Sequence, residues 1–383
     1  MSRILDAAVL GAGIAGSSLA KALADRGWET VVLDRQRFPR HKVCGEFLSP
    51  ESQQMLTAFG LRDAVQSLQP SSITKIRLIL GRGDPLEIPL PGMALGVSRH
   101  ALDLALHREA ASSGAEVQTA ATVTAVYPDA EGYTIETKRE TGIHTLKART
   151  VIAAWGANRR SGLPGQAPKR ESAAKRKTYM GVKSHFSGIE MEPVVELYFF
   201  PGGYLGICPV EGGSINAAAL VSPKAFGIHE KTILGLIEAA GRSNPRLEQR
   251  LAGAVPIPGT QAAVAPVDLA RNPVAWDMIP HVGDAAMMLP PLCGDGMSLA
   301  LRSALRCASF ADRYLQGSIS LSQWEYEYSQ SLVREFQGPL RWGRLLSWLL
   351  SSSTLSSPLL SLAQFTPRLT SSLVRATRLK ELE

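Results

Sequence analysis

The feature that most constrains this chain is a glycine-rich turn close to its N-terminus. Asp6 to Leu10 form a mostly apolar run, the turn itself has the sequence G-A-G-I-A-G from Gly11 to Gly16, and residues up to Arg26 have a helical composition. Gly27 ends that helix, and a second apolar run, TVVL, follows at Thr30 to Leu33. The order predicts a strand, a tight turn, a helix and a parallel strand, which begins a doubly wound α/β domain.

The glycines of this turn have the spacing needed to hold a pyrophosphate. The first allows the tight turn, the second lets backbone N–H groups approach the phosphates, and the third allows the helix to pack closely on the strand. Asp34 follows the second strand, where a carboxylate can accept hydrogen bonds from ribose hydroxyls. The sequence therefore predicts a dinucleotide site. The predicted contacts with its ADP half are Gly11, Gly13, Ile14, Ala15, Gly16, Asp34 and Arg35.

The rest of the chain predicts two interleaved domains, as its length of 383 residues also favours. A β-rich pattern with Gly and Pro runs from about Tyr179 to Val221, and the α/β pattern returns at Met278 with a long helix from about Gly296. We predict a discontinuous first domain of residues 1–75, 95–165 and 278–320. The inserted substrate domain covers 76–94 and 166–277, and C-terminal helices cover 321–383.

Composition and charge exclude several classes of protein. With 45% hydrophobic and 20% charged residues the chain is not intrinsically disordered. The formal net charge is +7, but the densest basic stretch, Lys169 to Lys177, has no interleaved aromatic residue, so no nucleic-acid partner is predicted. This stretch is interpreted as a solvated loop or as a patch for an anionic cofactor or carrier protein. No C-x-x-C pair occurs, so no metal site is predicted and the cysteines are expected to be free thiols.

The C-terminal tail allows two interpretations. Leu340 to Leu350 has the sequence LRWGRLLSWLL and is followed by a Ser- and Leu-rich stretch with scattered arginines. Amphipathic helices that cover the core are one interpretation, and an interfacial element that contacts a membrane or a lipid substrate is the other. Because there is neither a signal pattern nor a run of about 20 apolar residues, we expect a cytoplasmic protein, either free or peripheral to a membrane.

Two later segments carry a resemblance to a known superfamily. Gly283 to Ala286 (GDAA) and Pro290 to Met297 (PPLCGDGM) resemble the second flavin motif of the aromatic-hydroxylase and geranylgeranyl-reductase superfamily, and Val97 to Asp103 resembles its arginine-led helix. The resemblance implies an α/β fold with a glutathione-reductase-like Rossmann FAD-binding domain, an inserted β-rich substrate domain and a helical C-terminal tail. The further FAD contacts that it implies are Cys44, Gly45, Arg99, Val123, Gly156, Gly283, Asp284, Pro291, Gly294, Asp295, Gly296 and Met297.

The loop from His41 to Phe47 (HKVCGEF) points to a subgroup. Its Lys-x-Cys-Gly sequence resembles geranylgeranyl reductases, and Pro201 to Pro209 (PGGYLGICP) resembles their substrate-sheet segment. The resemblance implies that Cys44 and Tyr204 are catalytic or pocket residues. A buried small side chain and a packed aromatic residue are the alternative interpretations. The Gly-Glu pair also resembles flavin-dependent halogenases, although their paired-tryptophan motif is absent.

The resemblance implies redox chemistry on a hydrophobic substrate of isoprenoid, polyene or polyketide type. Reduction of carbon–carbon double bonds is the favoured reaction, and oxygen insertion by a flavin-dependent monooxygenase is the alternative. A halogenase and a flavin-bearing accessory protein without a substrate are less favoured. Trp155 stands where the hydroxylases often have the Asp that helps to handle the nicotinamide cofactor. The expected electron donor is therefore either NAD(P)H or another reduced compound.

Overall fold

The computed structural model describes residues 3–157, 178–223, 232–350 and 378–379. The helices of these residues are α1 (Ile14–Ala24), α2 (Ser52–Ala58), α3 (Arg62–Gln66), α4 (Arg99–Ser112), α5 (Ile233–Arg242), α6 (Pro245–Leu251), α7 (Gly296–Leu315) and α8 (Leu321–Leu350). The strands are β1 (Ile4–Leu10), β2 (Thr30–Leu33), β3 (Phe47–Leu48), β4 (Ser71–Ile79), β5 (Leu86–Gly96), β6 (Glu116–Gln118), β7 (Thr122–Asp129), β8 (Gly132–Arg139), β9 (Gly142–Ala153), β10 (Tyr179–Ser187), β11 (Val194–Phe200), β12 (Gly203–Pro209), β13 (Ile215–Val221), β14 (Val255–Pro256), β15 (Ala262–Val267), β16 (Trp276–Asp277) and β17 (Ile279–Pro280).

A six-stranded sheet forms the first layer, in the order β6-β2-β1-β9-β8-β7. Strands β6, β2, β1 and β9 are parallel, whereas β9, β8 and β7 form an antiparallel meander. The four residues of β2 are all buried, as expected for a short apolar strand covered on both faces. Helices α1 and α4 pack over this sheet, and α7 packs on α1. Because β1, β2 and β9 are parallel, their carboxyl ends meet at one edge, where ligands of open α/β sheets bind.

The second layer is a nine-stranded sheet with the path β14-β10-β13-β12-β11-β4-β5-β3, in which β15 also pairs with β10. The hairpin of β4 and β5 joins this sheet because β4 runs parallel to β11. The sequence does not predict β5, because Pro89 and Pro91 interrupt its pattern. Both prolines are exposed and stand near the edge of the sheet, where a missing N–H is tolerated. The mixed α/β class, with a Rossmann-like sheet, a second sheet and a helical C-terminal region, is confirmed.

Helix α8 packs against α7 with one face. Trp324, Tyr328 and Phe336 are buried in the hydrophobic core, and the Tyr328 hydroxyl donates to the carbonyl of His281 at 2.7 Å. Truncating one such aromatic residue to Ala typically costs about 3–5 kcal/mol. Of the stretch that begins at Leu340, Leu340 itself is buried in this core, whereas Trp342 and Leu345 are exposed, so the two interpretations of the tail both stay open. The basic stretch 169–177 and most of the tail beyond residue 350 lie outside the described residues.

Candidate flavin site

Backbone geometry defines the glycine turn. Gly11 has a φ of 114°, and a Cβ there would collide with the carbonyl of Ala154 at the end of β9. A Cβ on Gly16 would collide with the carbonyl of Gly11, so α1 can approach β1 only through a glycine. Gly13 has an ordinary φ of −78°, and its nearest neighbour would be Arg99 Nη2 at 3.7 Å. Gly13 is therefore needed for space and not for backbone freedom, and this space opens at the N-terminus of α1, where an anion binds favourably.

Asp34 lies against this turn. One carboxylate oxygen accepts the N–H of Ala12 at 2.9 Å, and the other accepts the N–H of Gln36 at 2.8 Å. The Asp34 carbonyl accepts the N–H of Ala121, which brings the start of β7, including Val123, to the end of β2. Asp34 thus holds the turn in shape, and each of its carboxylate oxygens can still accept a hydrogen bond from a ribose hydroxyl.

Arg99 begins helix α4 and lies over the glycine turn. It is buried and forms two bonds with Asp103, at 2.8 and 2.9 Å. Burial lowers the pKa of the guanidinium, but Asp103 and the neighbouring sulfur of Cys44 outweigh it and raise the pKa above its ordinary value. A bidentate, fully charged guanidinium beside an open helix N-terminus is suited to a pyrophosphate.

Two further cations point to the same space. Lys42 Nζ lies 3.7 Å from the position that a Cβ on Gly156 would take, and the carboxylates of Asp284 and Asp103 favour its charge. Burial and the nearby Arg99 lower the pKa of the Lys42 ammonium. The buried Nε of Arg40 has no hydrogen-bond partner in the described part of the chain. Two cations this close to Arg99 fit the phosphates of FAD.

The other half of the site comes from the segment between β17 and α7. Gly283 has a φ of 58° and packs against α1, which leaves the half-buried Asp284 facing the charge of Lys42. Gly294 adopts the left-handed conformation with a φ of 73°, and a Cβ on Gly296 would meet no atom within 4 Å. The turn therefore leaves open space at the start of α7, where backbone N–H groups can face the edge of a flavin ring.

Asp295, between these glycines, points away from solvent and is fully buried. Burial raises the pKa of its carboxyl to about 7, with Arg378 acting in the opposite direction. Arg378 is buried as well and pairs with Glu51 at 3.0 Å. Arg378, near the C-terminus, thus lies close to the turn that contains Gly294 and Gly296.

An apolar cleft lies between the nine-stranded sheet and the turn that contains Pro291 and Leu292. Its lining side chains are Tyr179, Phe199, Tyr204, Leu220, Leu269, Pro291, Leu292 and Ser347. Helix α8 approaches the cleft so closely at Gly343 that a Cβ there would stand 2.7 Å from the Cys293 sulfur. Burial and Cys293 raise the pKa of the Tyr204 phenol above its ordinary value, and burial raises the pKa of the Cys293 thiol to about 12. All four cysteines are free.

The residues named from the sequence fall into two groups. The glycine turn, Asp34, Arg99 and the segment around Gly283–Met297 meet around one space at the carboxyl ends of the parallel strands. Cys44 joins them through Arg99, whereas Tyr204 lies in the cleft with Cys293. Arg35 and Gly45 are exposed. Their individual roles in FAD binding stay predictions.

The sequence did not lead to a role for four basic residues that the structure places around this site, although Lys42 is part of the Lys-x-Cys-Gly motif. Arg40 and Lys42 lie in the loop before Cys44, and Lys183 and His185 lie on β10. The signal for the second pair was present, because an apolar strand with Lys and His at positions i and i+2 puts both on one face. The signal for the first pair was weaker, since basic residues are common in loops. The fit of the site to FAD rests on these cations, the open helix starts and the carboxylates.

Comparisons with known proteins agree with this site. The family model described as FAD binding domain matches residues 5–318. Digeranylgeranylglycerophospholipid reductase 2 of Methanopyrus kandleri is 28% identical over 92% of this chain and 86% of its own length. Menaquinone reductase of Mycolicibacterium smegmatis is 28% identical over 79% of this chain and 75% of its own length.

Among solved structures, the myxobacterial chondrochloren halogenase superposes with a TM-score of 0.80 at 21% identity, covering 97% of this chain and 91% of its own. At this identity the likeness shows the fold alone. No helix among the described residues is long and apolar enough to cross a membrane. The family match covers most of the chain and the site has the groups that FAD requires, so this chain belongs to the FAD-binding-domain family and is an FAD-dependent oxidoreductase.

Proposed function

We propose that this oxidoreductase reduces carbon–carbon double bonds of a hydrophobic substrate, of isoprenoid, polyene or polyketide type. The observation that carries the proposal is the position of Cys44, a half-buried thiol within hydrogen-bonding reach of the Arg99 guanidinium beside the glycine turn. The names of the two reductases to which the chain is similar support the same direction.

Reduction of a double bond requires a hydride at one carbon and a proton at the other. Bound FAD in its reduced form supplies the hydride, and the chain must supply the proton. The Cys44 thiol can give up a proton, and the adjacent Arg99 guanidinium then balances the negative charge that is left on sulfur. Cys44 is therefore the proposed proton donor, with Arg99 as its electrostatic partner.

The composition of the apolar cleft, rather than its size, supports a hydrophobic substrate. Phe199, Leu220 and Leu292 supply apolar surface, while Tyr179 and Tyr204 add hydroxyl groups. Because the raised pKa of Tyr204 keeps the phenol protonated at neutral pH, it can donate a hydrogen bond to a polar end of the substrate. Apolar walls with a few polar groups are the usual composition of a site for such ligands. A carrier-bound substrate is also compatible with this lining.

Oxygen insertion is the second candidate reaction. The resemblance of the two flavin segments, Gly283 to Ala286 and Pro290 to Met297, to those of aromatic hydroxylases supports it. The donor of electrons is proposed to be NAD(P)H or another reduced carrier. The two reactions differ in one requirement: an oxygenase consumes molecular oxygen, and a reductase does not.

The test uses the purified holoprotein, dithionite as reductant and geranylgeraniol as a model polyene. Under anaerobic conditions we expect product heavier by two hydrogens for each reduced double bond, measured by mass spectrometry. Cys44→Ser should retain FAD and lose at least about 90% of this turnover. Product that gains an oxygen atom, and forms only in air, would establish the second candidate instead.

A further inference from the structure

A buried ionic cluster joins the Cys44 loop to the substrate sheet. Glu46 Oε1 accepts a bond from Lys183 Nζ at 2.6 Å, and Glu46 Oε2 lies 2.6 Å from His185 Nε2. The side chains of Glu46 and Lys183 are fully buried, and that of His185 is nearly so. The contacts of this Glu46 cluster (Glu46, Lys183 and His185) keep the pKa of the Glu46 carboxyl below its ordinary value although burial opposes this.

The cluster is costly in two ways. Taking three ionisable side chains out of water is unfavourable, and a packed apolar set of similar volume is often at least as stable. Glu46 also has a φ of 58°, in the left-handed region that strains a residue with a Cβ. Such strain tends to persist where surrounding contacts over-determine it at functional sites. Stability alone does not account for a glutamate at this position.

The contacts of Glu46 lead directly to the flavin site. Its carboxylate accepts the backbone N–H of Arg99 at 2.9 Å, and its own N–H donates to the sulfur of Cys44 at 3.4 Å. Its carbonyl accepts the N–H of Val97 at 3.0 Å. The residue thus fixes both the first turn of α4 and the loop that carries Cys44.

A second carboxylate, that of Glu211, binds the start of α4. Glu211 accepts the N–H of Ser98 at 2.8 Å and also the Ser98 hydroxyl. Asn216 on β13 donates to the carbonyl of Cys44 at 2.9 Å. The start of α4 and the Cys44 loop are therefore both tied to the second sheet, and carboxylates are stabilised at a helix N-terminus.

The surroundings of the cluster are mainly cationic or neutral. His41 stands edge-on to His185 with ring centroids 5.2 Å apart and stacks on His100 at 4.7 Å. Burial, followed by Lys183 and His185, lowers the pKa of His41 to about 4. Cys208 approaches from β12, with its sulfur 3.7 Å from the Glu46 carbonyl. Glu46 is therefore the residue that Lys183, His185 and Cys208 all contact.

We propose that Glu46 is a positioning residue that acts through Arg99: clamped by Lys183 and His185 of the substrate sheet, it holds the Arg99 guanidinium over the glycine turn and Cys44 beside it. The role is independent of which reaction the enzyme catalyses. It predicts that loss of the clamp weakens FAD binding although no atom of Glu46 needs to touch FAD.

The test is a double-mutant cycle on FAD affinity, measured by fluorescence titration of apoprotein. Glu46→Gln keeps the shape but weakens the clamp, and Arg99→Lys keeps a charge for Asp103 but loses the guanidinium fork. We expect each to weaken FAD binding about tenfold and the double variant to be within about twofold of Arg99→Lys alone. Glu192→Gln, at an exposed surface ion pair, is the matched control and should leave affinity unchanged.

Additive effects, about a hundredfold in the double variant, would overturn the proposal, since additivity means that Glu46 does not act through Arg99. If Glu46→Gln does not fold, the Glu46→Gln/Lys183→Met pair removes both charges and takes its place in the cycle. Failure of both to fold would make the cluster a folding element and also overturn the proposal.

A second readout follows the loop itself. In Glu46→Gln, Cys44 should be alkylated by iodoacetamide several-fold faster than in the parent, resolved by peptide mass spectrometry. Cys307, which is fully buried on α7, reports global opening and should not change. Equal acceleration at both cysteines would indicate general destabilisation and contradict a positioning role.

Discussion

The nucleotide end of the flavin site depends on backbone atoms, whereas its ring end depends on side chains from segments far apart in the chain. At the nucleotide end, the shape follows from Gly11 and Gly16, whose missing side chains admit the carbonyl of Ala154 and close packing of α1. At the ring end, Asn216 of the second sheet holds the Cys44 loop, and Asp295 is buried near Arg378 of the C-terminal segment. A side chain at Gly11 or Gly16 would therefore disturb the packing of the nucleotide end, whereas single contacts of the ring end can be removed one at a time.

Two neighbouring glycines offer the sharpest test of the nucleotide end. Gly16→Ala places a methyl group onto the Gly11 carbonyl, so α1 must shift, at a cost of about 3 kcal/mol or more. Gly13→Ala meets only the Arg99 guanidinium at 3.7 Å and should fold normally with weaker FAD binding. Thermal unfolding and flavin content of the two purified variants measure the difference. Equal behaviour of the two would contradict the distinction between packing and phosphate space.

At the ring end, Asp295 should make stability depend on pH. An unfolded Asp has a pKa of about 3.9, and the buried carboxyl in the folded chain has a pKa of about 7. Because the pKa is higher in the folded state, the free energy of unfolding falls as pH rises from about 4 to 7. The total loss approaches a few kcal/mol, since a tenfold difference in proton affinity between the two states corresponds to about 1.4 kcal/mol.

Asp295→Asn removes this titration, so the variant should gain stability relative to the parent as pH rises, and the gain should level off above about pH 7. Urea unfolding of both proteins at a series of pH values measures this difference. A difference between parent and variant that is constant with pH would show that the carboxyl does not titrate in that range.

The sequence predicts the nucleotide end of the site better than the ring end. The glycine turn, Asp34 and the strand order around them could be predicted because local spacing determines the backbone there. Lys183 and His185 could not be connected with Glu46, since their pairing depends on how β10 packs against a loop more than 130 positions earlier. Arg378 is a similar case: nothing local in the sequence indicates that it returns to Glu51. Strand β5 could not be predicted, because Pro89 and Pro91 interrupt its strand pattern.

Lys42 links the two ends and has a smaller expected effect. Lys42→Met removes a desolvated cation, so the apoprotein should be slightly more stable, while FAD affinity should fall about tenfold with the loss of a phosphate contact. The salt dependence of FAD binding should also decrease. Lys138→Met, an exposed lysine on β8, is the control. An unchanged affinity would place the phosphates elsewhere.

The smallest effect concerns the outer face of α8 beside the apolar cleft. Trp342 and Leu345 are 41% and 43% exposed, next to the exposed Arg341. If this face contacts a lipid surface, co-sedimentation with anionic vesicles should fall a few-fold in Trp342→Ser/Leu345→Ser and should weaken with salt. Tyr326→Ser, on an earlier exposed part of the helix, is the matched control. Equal sedimentation of parent and double variant would exclude this face.

The proposed reaction transfers electrons from FAD to a polyene at the ring end of the site, with Cys44 as proton donor. The most direct measurement is anaerobic stopped-flow mixing of fully reduced holoprotein with geranylgeraniol, following the return of the yellow absorbance of oxidised flavin. We expect reoxidation by the polyene in the parent and reoxidation at least about tenfold slower in Cys44→Ser, with FAD fully retained. Reoxidation that requires oxygen, or that proceeds equally in both proteins, would contradict the proposed reaction.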